Sequence, residues 1–131
     1  MGSETEGRDM QAELSKTFRF DAGHHLPNVP PGHKCAGPHG HSYKLTIVVV
    51  GEVDEHTGWV MDFGRIKAVV GPLIDRLDHA TLNDVEGLGN PTSELIARWF
   101  WDRIRPEIPE LSAVVIQETE TSSCTYRGAG A

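Results

Sequence analysis

Apolar and polar residues alternate from Glu13 to Phe20: Leu14, Phe18 and Phe20 share one parity, Ser15, Thr17 and Arg19 the other. A period of two puts one set on each face of a half-buried strand. The stretch from Pro27 to Pro38 holds four prolines and two glycines and reads as an irregular loop. Alternation returns from Ser42 to Val50, where Tyr43, Leu45, Ile47 and Val49 are apolar and Ser42, Lys44 and Thr46 polar, predicting a second strand. Asp54 to Gly58 reads as a turn, followed by the short apolar piece Trp59-Val60-Met61. After Asp62 the period changes: Phe63, Ile66, Val69, Val70, Leu73, Ile74 and Leu77 recur at three and four, the pattern of a helix capped by Asp62. Gly71-Pro72 lies inside it and predicts a kink, because an internal proline costs ~3 kcal/mol or more. Asn90-Pro91 opens a second helix, with the cap at Asn90 and proline at the first helical position. Its buried stripe is Leu95, Ile96, Trp99, Phe100 and Ile104, and Pro106 stops it. Ala113 to Thr119 is a third strand, Ser122-Ser123 a turn, and Cys124 to Arg127 a fourth strand.

The order β-β-α-α-β-β with adjacent hairpins predicts an α+β domain, a four-stranded antiparallel sheet with two helices on one face. Such a sheet has two open edges, which pairing between subunits would protect. Residues 1–11 carry no periodic pattern and read as a disordered N-terminal tail, leaving 12–131 as a single domain.

Twelve lysines and arginines against 19 aspartates and glutamates give a net charge of −7. That balance speaks against a nucleic-acid partner, which needs a basic face. A small anionic substrate is still admissible, since two or three local cations suffice; Lys34, Lys44 and Arg127 are candidates. No apolar run approaches the roughly 20 residues of a membrane span, and the opening residues lack a signal-peptide core. Two cysteines cannot build a disulfide framework, so a cytoplasmic location is the expectation.

Four of the seven histidines fall between positions 24 and 39. If the first strand runs on past Phe20, Ala22 and His24 follow it onto the apolar face, and His25 points away. His39 and His41 share parity with Tyr43, Leu45 and Ile47. Three imidazoles from two strands therefore converge near one end of the sheet. Residues two apart on one face lie about 6.5–7 Å apart, and rings leaning together can share a metal at about 2.0–2.1 Å. Burying three imidazoles without partners is costly, whereas a zinc ion satisfies all three and keeps an open position, as in catalytic sites. Gly40 between two of them allows close approach of backbone or substrate. His33, in the proline-rich loop, and His56, in a turn, read as solvated.

Cys35, four residues before His39, admits two roles: a fourth ligand, or a free thiolate activated by nearby cations. Cys124 reads as a plain buried cysteine. Asp78-His79 follows the first helix; a carboxylate beside an imidazole can orient an acid/base, but adjacent residues rarely face each other and such pairs commonly just end helices. Glu118 shares parity with Val114 and Ile116, so its carboxylate points at the apolar face and needs a partner. Either a heterocycle with two adjacent N–H donors or an arginine or histidine would serve.

These residues sit in five ordered motifs: Phe20-Asp21-Ala22-Gly23-His24, Cys35 through Tyr43, Leu77-Asp78-His79, Asn90-Pro91-Thr92-Ser93-Glu94, and Glu118-Thr119. Together they resemble the 6-pyruvoyltetrahydropterin synthase / 6-carboxytetrahydropterin synthase family from about Ser15 to Gly128. The resemblance implies the tunnelling fold, with subunits closing into a barrel, commonly a homohexamer of two stacked trimers with active sites at subunit interfaces. It implies zinc ligation by His24, His39 and His41, Cys35 as general base, and His79 as acid/base oriented by Asp78 and supplied from a neighbouring subunit. Glu118 would anchor the pterin ring, with Thr92 and Ser93 as further substrate contacts. The three-residue gap between Cys35 and His39, Ser42, and the ending Cys124 to Gly128 resemble the bacterial 6-carboxy branch of queuosine (7-deazapurine) biosynthesis. That branch implies a zinc-dependent lyase acting on 7,8-dihydroneopterin triphosphate. Two alternatives stand beside it, the 6-pyruvoyl reaction on the same substrate and a non-catalytic metal-binding module. A cupin-like dioxygenase fits less, because Leu45 stands where a glutamate should follow His39-Gly40-His41.

Overall fold

The structure, a computed structural model, describes residues 10–130. Two 14-residue strands, β1 (Gln11–His24) and β2 (His39–Glu52), pair antiparallel. Helices α1 (Phe63–Leu77) and α2 (Ser93–Ile104) follow, separated by a short 3-10 turn at Leu82–Asp84. β3 (Leu111–Thr119) and β4 (Ser122–Tyr126) complete a four-stranded sheet in the order β1-β2-β3-β4. The α+β architecture predicted from the periodicities is the one observed. No helix among the described residues is long and apolar enough to cross a membrane.

The strands extend beyond their predicted ends. Residues 1–9 of the expected tail lie outside the described residues, but Gln11 belongs to the sheet and Met10 is bonded next to it. The Met10 carbonyl accepts from Val53 N–H at 2.8 Å, and Gln11 stands opposite Glu52. A strand partner here outweighs the lack of an apolar pattern. Ser122 and Ser123 are in β4 rather than in the turn, which moves to Glu120-Thr121.

The β1–β2 register positions the site. Leu14 faces Val49, Phe18 faces Leu45 and Phe20 faces Tyr43, the last two rings stacked with centroids 4.9 Å apart. Continuing by twos, Ala22 faces His41 and His24 faces His39. A slip of one residue would turn the whole apolar set to the opposite face, so packing under the helices locks the pairing that brings the histidines together.

α1 presents Ile66, Val70, Ile74 and Leu77 to the core, and Asp62 caps it by accepting from Gly64 N–H. The helix continues through Pro72. Phe63, the first residue of the predicted apolar pattern, is 47% exposed. α2 begins two residues later than predicted: Thr92, not Asn90, is the cap, its Oγ1 accepting from Leu95 N–H at 3.2 Å. This shift leaves Pro91 outside the helix, with its carbonyl free for another partner. On α2, Trp99, Phe100, Trp101 and Ile104 are buried; Phe100 meets Phe20 of β1 and Trp101 meets Tyr126 of β4.

Candidate metal centre

His24 is 2% exposed at the end of β1, with its neighbours His39 and His41 on β2 partly exposed. Among the described residues these three form the one group whose ligand atoms all lie within 4.8 Å of one another. Their rings meet edge to face, with interplanar angles of 67°, 88° and 90°. The Nε2 atoms of His24 and His39 are 2.9 Å apart.

Hydrogen bonding on the far side of two rings fixes their tautomers. His24 Nδ1–H donates to the Pro91 carbonyl at 2.8 Å, and His39 Nδ1–H to the Gly37 carbonyl at 2.9 Å. A carbonyl can only accept, so both Nδ1 atoms carry hydrogen, and in the neutral rings both Nε2 atoms are lone pairs. Two lone pairs aimed at each other across 2.9 Å repel unless a cation lies between them. Imidazoles that give their outer N–H to main-chain carbonyls and turn the inner nitrogen to a common point are the usual dress of metal ligands. The donor set therefore fits a metal ion. Burial lowers the basicity of His24, which the Pro91 carbonyl partly offsets and His39 reinforces, so its Nε2 lone pair stays available. Tyr43 Oη lies 3.2 Å from His24 Nδ1, and burial raises the Tyr43 phenol pKa, so the hydroxyl remains neutral.

Cys35 is a free, partly buried cysteine and is not a member of the histidine group, so the ligand role left open for it has no support here. His33, expected to be merely solvated, holds the loop at this point: its Nδ1 accepts from Cys35 N–H at 3.0 Å. The Cys35 carbonyl in turn accepts from Leu26 N–H at 2.9 Å. His25 is outside the group as well, in agreement with the parity argument for His24.

Glu118 lies where β3 loses register with β4, between Gln117 and Thr119. A bulge re-aims side chains. Its Oε1 is 3.5 Å from His24 Nε2 and 3.7 Å from His41 Nε2, so within the chain its partners are histidines. Cys124 packs partly buried against the core, and burial raises its thiol pKa.

Asp78 is the C-cap of α1, and its Oδ1 accepts from Asp21 N–H at 2.9 Å. Its Oδ2 lies 3.6 Å from Nε2 of His79, an ion-pair distance rather than a hydrogen bond. The His79 side chain is 79% exposed and its backbone is left-handed, φ 61°, a region uncommon for a non-glycine residue and found where function constrains the chain. His79 N–H donates to the Asp21 carbonyl at 2.6 Å. Asp21–Gly23, Gly40–Ser42 and His79–Thr81 line one cleft of about 670 Å³, so His41 of the histidine group and the exposed His79 border the same space. Gly40 lines this cleft too; a Cβ there would meet only the Ala22 carbonyl, at an ordinary 3.7 Å, so packing within the chain does not require the glycine. Thr92 and Ser93, at the start of α2, are partly exposed, with the Thr92 oxygen engaged in capping.

Sequence reasoning missed the residues that position the site: the Pro91 and Gly37 carbonyls, His33, and Asn83, whose side chain grips the backbone of His25. Main-chain acceptors leave no residue-type signal, and a single asparagine between two helices does not show which backbone it will hold.

Comparison with known proteins places this arrangement. A family profile described as 6-pyruvoyl tetrahydropterin synthase matches residues 13–129. The chain is 40% identical over 119 residues to 6-carboxy-5,6,7,8-tetrahydropterin synthase of Synechocystis, covering 86% of this chain and 91% of that one. It is 33% identical to the human 6-pyruvoyl tetrahydrobiopterin synthase, covering 98% and 99%. The solved Caenorhabditis elegans 6-pyruvoyl tetrahydropterin synthase superposes with a TM-score of 0.85 at 27% identity, covering 92% of this chain and 97% of that one. By sequence along nearly its whole length and by its fold, that of the tunnelling-fold subunit, this chain belongs to the 6-pyruvoyl tetrahydropterin synthase family.

Proposed function

We propose that the protein is a zinc-dependent lyase that converts 7,8-dihydroneopterin triphosphate and water to 6-carboxy-5,6,7,8-tetrahydropterin, acetaldehyde and triphosphate, the reaction that serves queuosine biosynthesis. The observation that carries the chemistry is the convergence of His24, His39 and His41 with two outer nitrogens on carbonyls. The 40% identity to a relative of the 6-carboxy name supports the choice of branch.

His24, His39 and His41 would hold the zinc, which when bound supplies Lewis-acid stabilisation of negative charge developing on a substrate side-chain oxygen. Cys35, outside the ligand group, acts as the base that removes a carbon-bound proton; its loop is fastened at both backbone groups, N–H to His33 and carbonyl to Leu26. His79, exposed and leaning on Asp78, returns protons and assists departure of the triphosphate. Its exposure suits service to a neighbouring subunit. Glu118 accepts hydrogen bonds from the pterin N–H groups, exchanging its contact with the histidines for the ring. Thr92 and Ser93 border the substrate at the head of α2. The open edges of β1 and β4 pair between copies, giving the barrel-shaped homohexamer and interfacial sites.

The second reading, the 6-pyruvoyl reaction, is favoured by 33% identity to relatives of that name. Incubating zinc-loaded protein with 7,8-dihydroneopterin triphosphate separates the two. Acetaldehyde released in equal amount with triphosphate supports the lyase, while triphosphate without acetaldehyde overturns it in favour of the 6-pyruvoyl reaction.

A further inference from the structure

β1 is an edge strand, so the main-chain groups of its odd-numbered residues face away from β2. At its site-bearing end these groups are taken up by one segment of the chain, residues 78–83. Asp21 N–H donates to Asp78 Oδ1 and the Asp21 carbonyl accepts from His79 N–H. Gly23 N–H donates to the Ala80 carbonyl at 3.0 Å, and Gly23 bridges Thr81 in parallel. His25, one residue past the end of the strand, has lost its β2 partner. There the amide of Asn83 stands in for a strand: its Oδ1 accepts from His25 N–H at 2.9 Å, and its Nδ2 donates to the His25 carbonyl at 2.8 Å. Nδ2 also reaches the Gly89 carbonyl at 3.4 Å, tying the strap to the chain that leads into α2.

His24 lies between the clamps at Gly23 and His25. We propose that Asn83 is a positioning residue for the metal centre: by holding both main-chain groups of His25 it fixes the backbone from which the His24 ring reaches its partners, and so sets the metal affinity. This rests on reading the three histidines as a zinc site. The physical reason is preorganisation. A ligand already held in place has little freedom left to lose when the metal binds, whereas an unclamped His24 must be ordered by the metal itself. The β2 histidines are held by the β1–β2 ladder, His39 opposite His24 and His41 opposite Ala22, and the His39 ring also bonds the Gly37 carbonyl. The same strap carries Asp78 and His79, so one segment fastens both the metal ligand and the acid/base pair to β1.

The test is the zinc dissociation constant of the folded protein, measured by competition with a chromophoric chelator, for the parent, Asn83→Ala, the milder Asn83→Ser, and Val69→Ala. Val69 packs partly buried on α1, away from β1's end in sequence, and its truncation controls for general loss of stability. Asn83→Ala should weaken zinc binding about ten-fold, the lower end of the effect of groups that orient ligands. Asn83→Ser should weaken it in the same direction, and Val69→Ala should stay within about two-fold of the parent while melting earlier. Equal affinity in parent and Asn83→Ala overturns the proposal, as does an equal loss in Val69→Ala. If Asn83→Ala does not fold, an Asn83→Ser affinity equal to the parent's overturns it. A parent that binds no zinc overturns the metal reading itself, and a zinc-binding parent with unchanged variants overturns only the role of Asn83.

Discussion

His24 Nε2 and His39 Nε2 face each other across 2.9 Å, and each ring spends its other nitrogen on a main-chain carbonyl. The two rings thus have no way to relieve their repulsion by switching tautomer without breaking a hydrogen bond to Pro91 or Gly37. A cation between them removes the conflict. Adding zinc at 1,000 times its dissociation constant should stabilise the fold by about 4 kcal/mol and raise the melting temperature by about 10–20 °C. His39→Ala should abolish that rise, which calorimetry with and without zinc will read. An undiminished rise in the variant would place the ion elsewhere.

Cys35 lies outside the histidine group, in a loop anchored by Leu26 and His33. Cys35→Ala should lower kcat by about 10²–10⁴, the range for a positioned base, and leave one zinc per chain. Loss of zinc from the variant, measured by elemental analysis, would make Cys35 a ligand instead.

His79 holds a left-handed backbone with a largely exposed ring, φ 61° and 79% exposure. Glycine adopts that conformation without the side-chain penalty. His79→Gly should therefore keep or raise stability, by up to about 1 kcal/mol, while kcat falls about 10²–10⁴. A variant that melts earlier would mean that the ring has packing contacts worth more than the strain.

Glu118 presents its carboxylate to the histidines from a bulge. If it accepts from two pterin N–H groups, Glu118→Gln should raise KM about 10–100-fold, the scale of losing a hydrogen bond to a charged group, with zinc content unchanged. An unchanged KM, from steady-state kinetics, would remove it from substrate binding.

Much of this fold was legible because its strands follow strict alternation. The parity of Phe18 and Phe20 carried through to His24, and that of Tyr43 and Leu45 back to His39 and His41, so side-chain phase alone predicted which histidines meet. Phase also put Glu118 on the right face, although not the bulge that turns it to the site. What stayed hidden depends on main-chain partners. Asn90 and Thr92 are both good caps; Thr92 is the one used, and the carbonyl of Pro91 just before it accepts from His24. His33 looked like any loop histidine, yet its neighbour two residues on is Cys35, whose N–H it accepts. Asp78-His79 read as a helix end, and Asp78 is one; the left-handed turn that exposes His79 has no signature in residue type.

X-ray absorption at the zinc edge of the loaded protein tests the account's centre most directly. Three histidine nitrogens at about 2.0–2.1 Å, one further light scatterer and no sulfur are expected. A sulfur at about 2.3 Å, or a shell without three imidazoles, would contradict it.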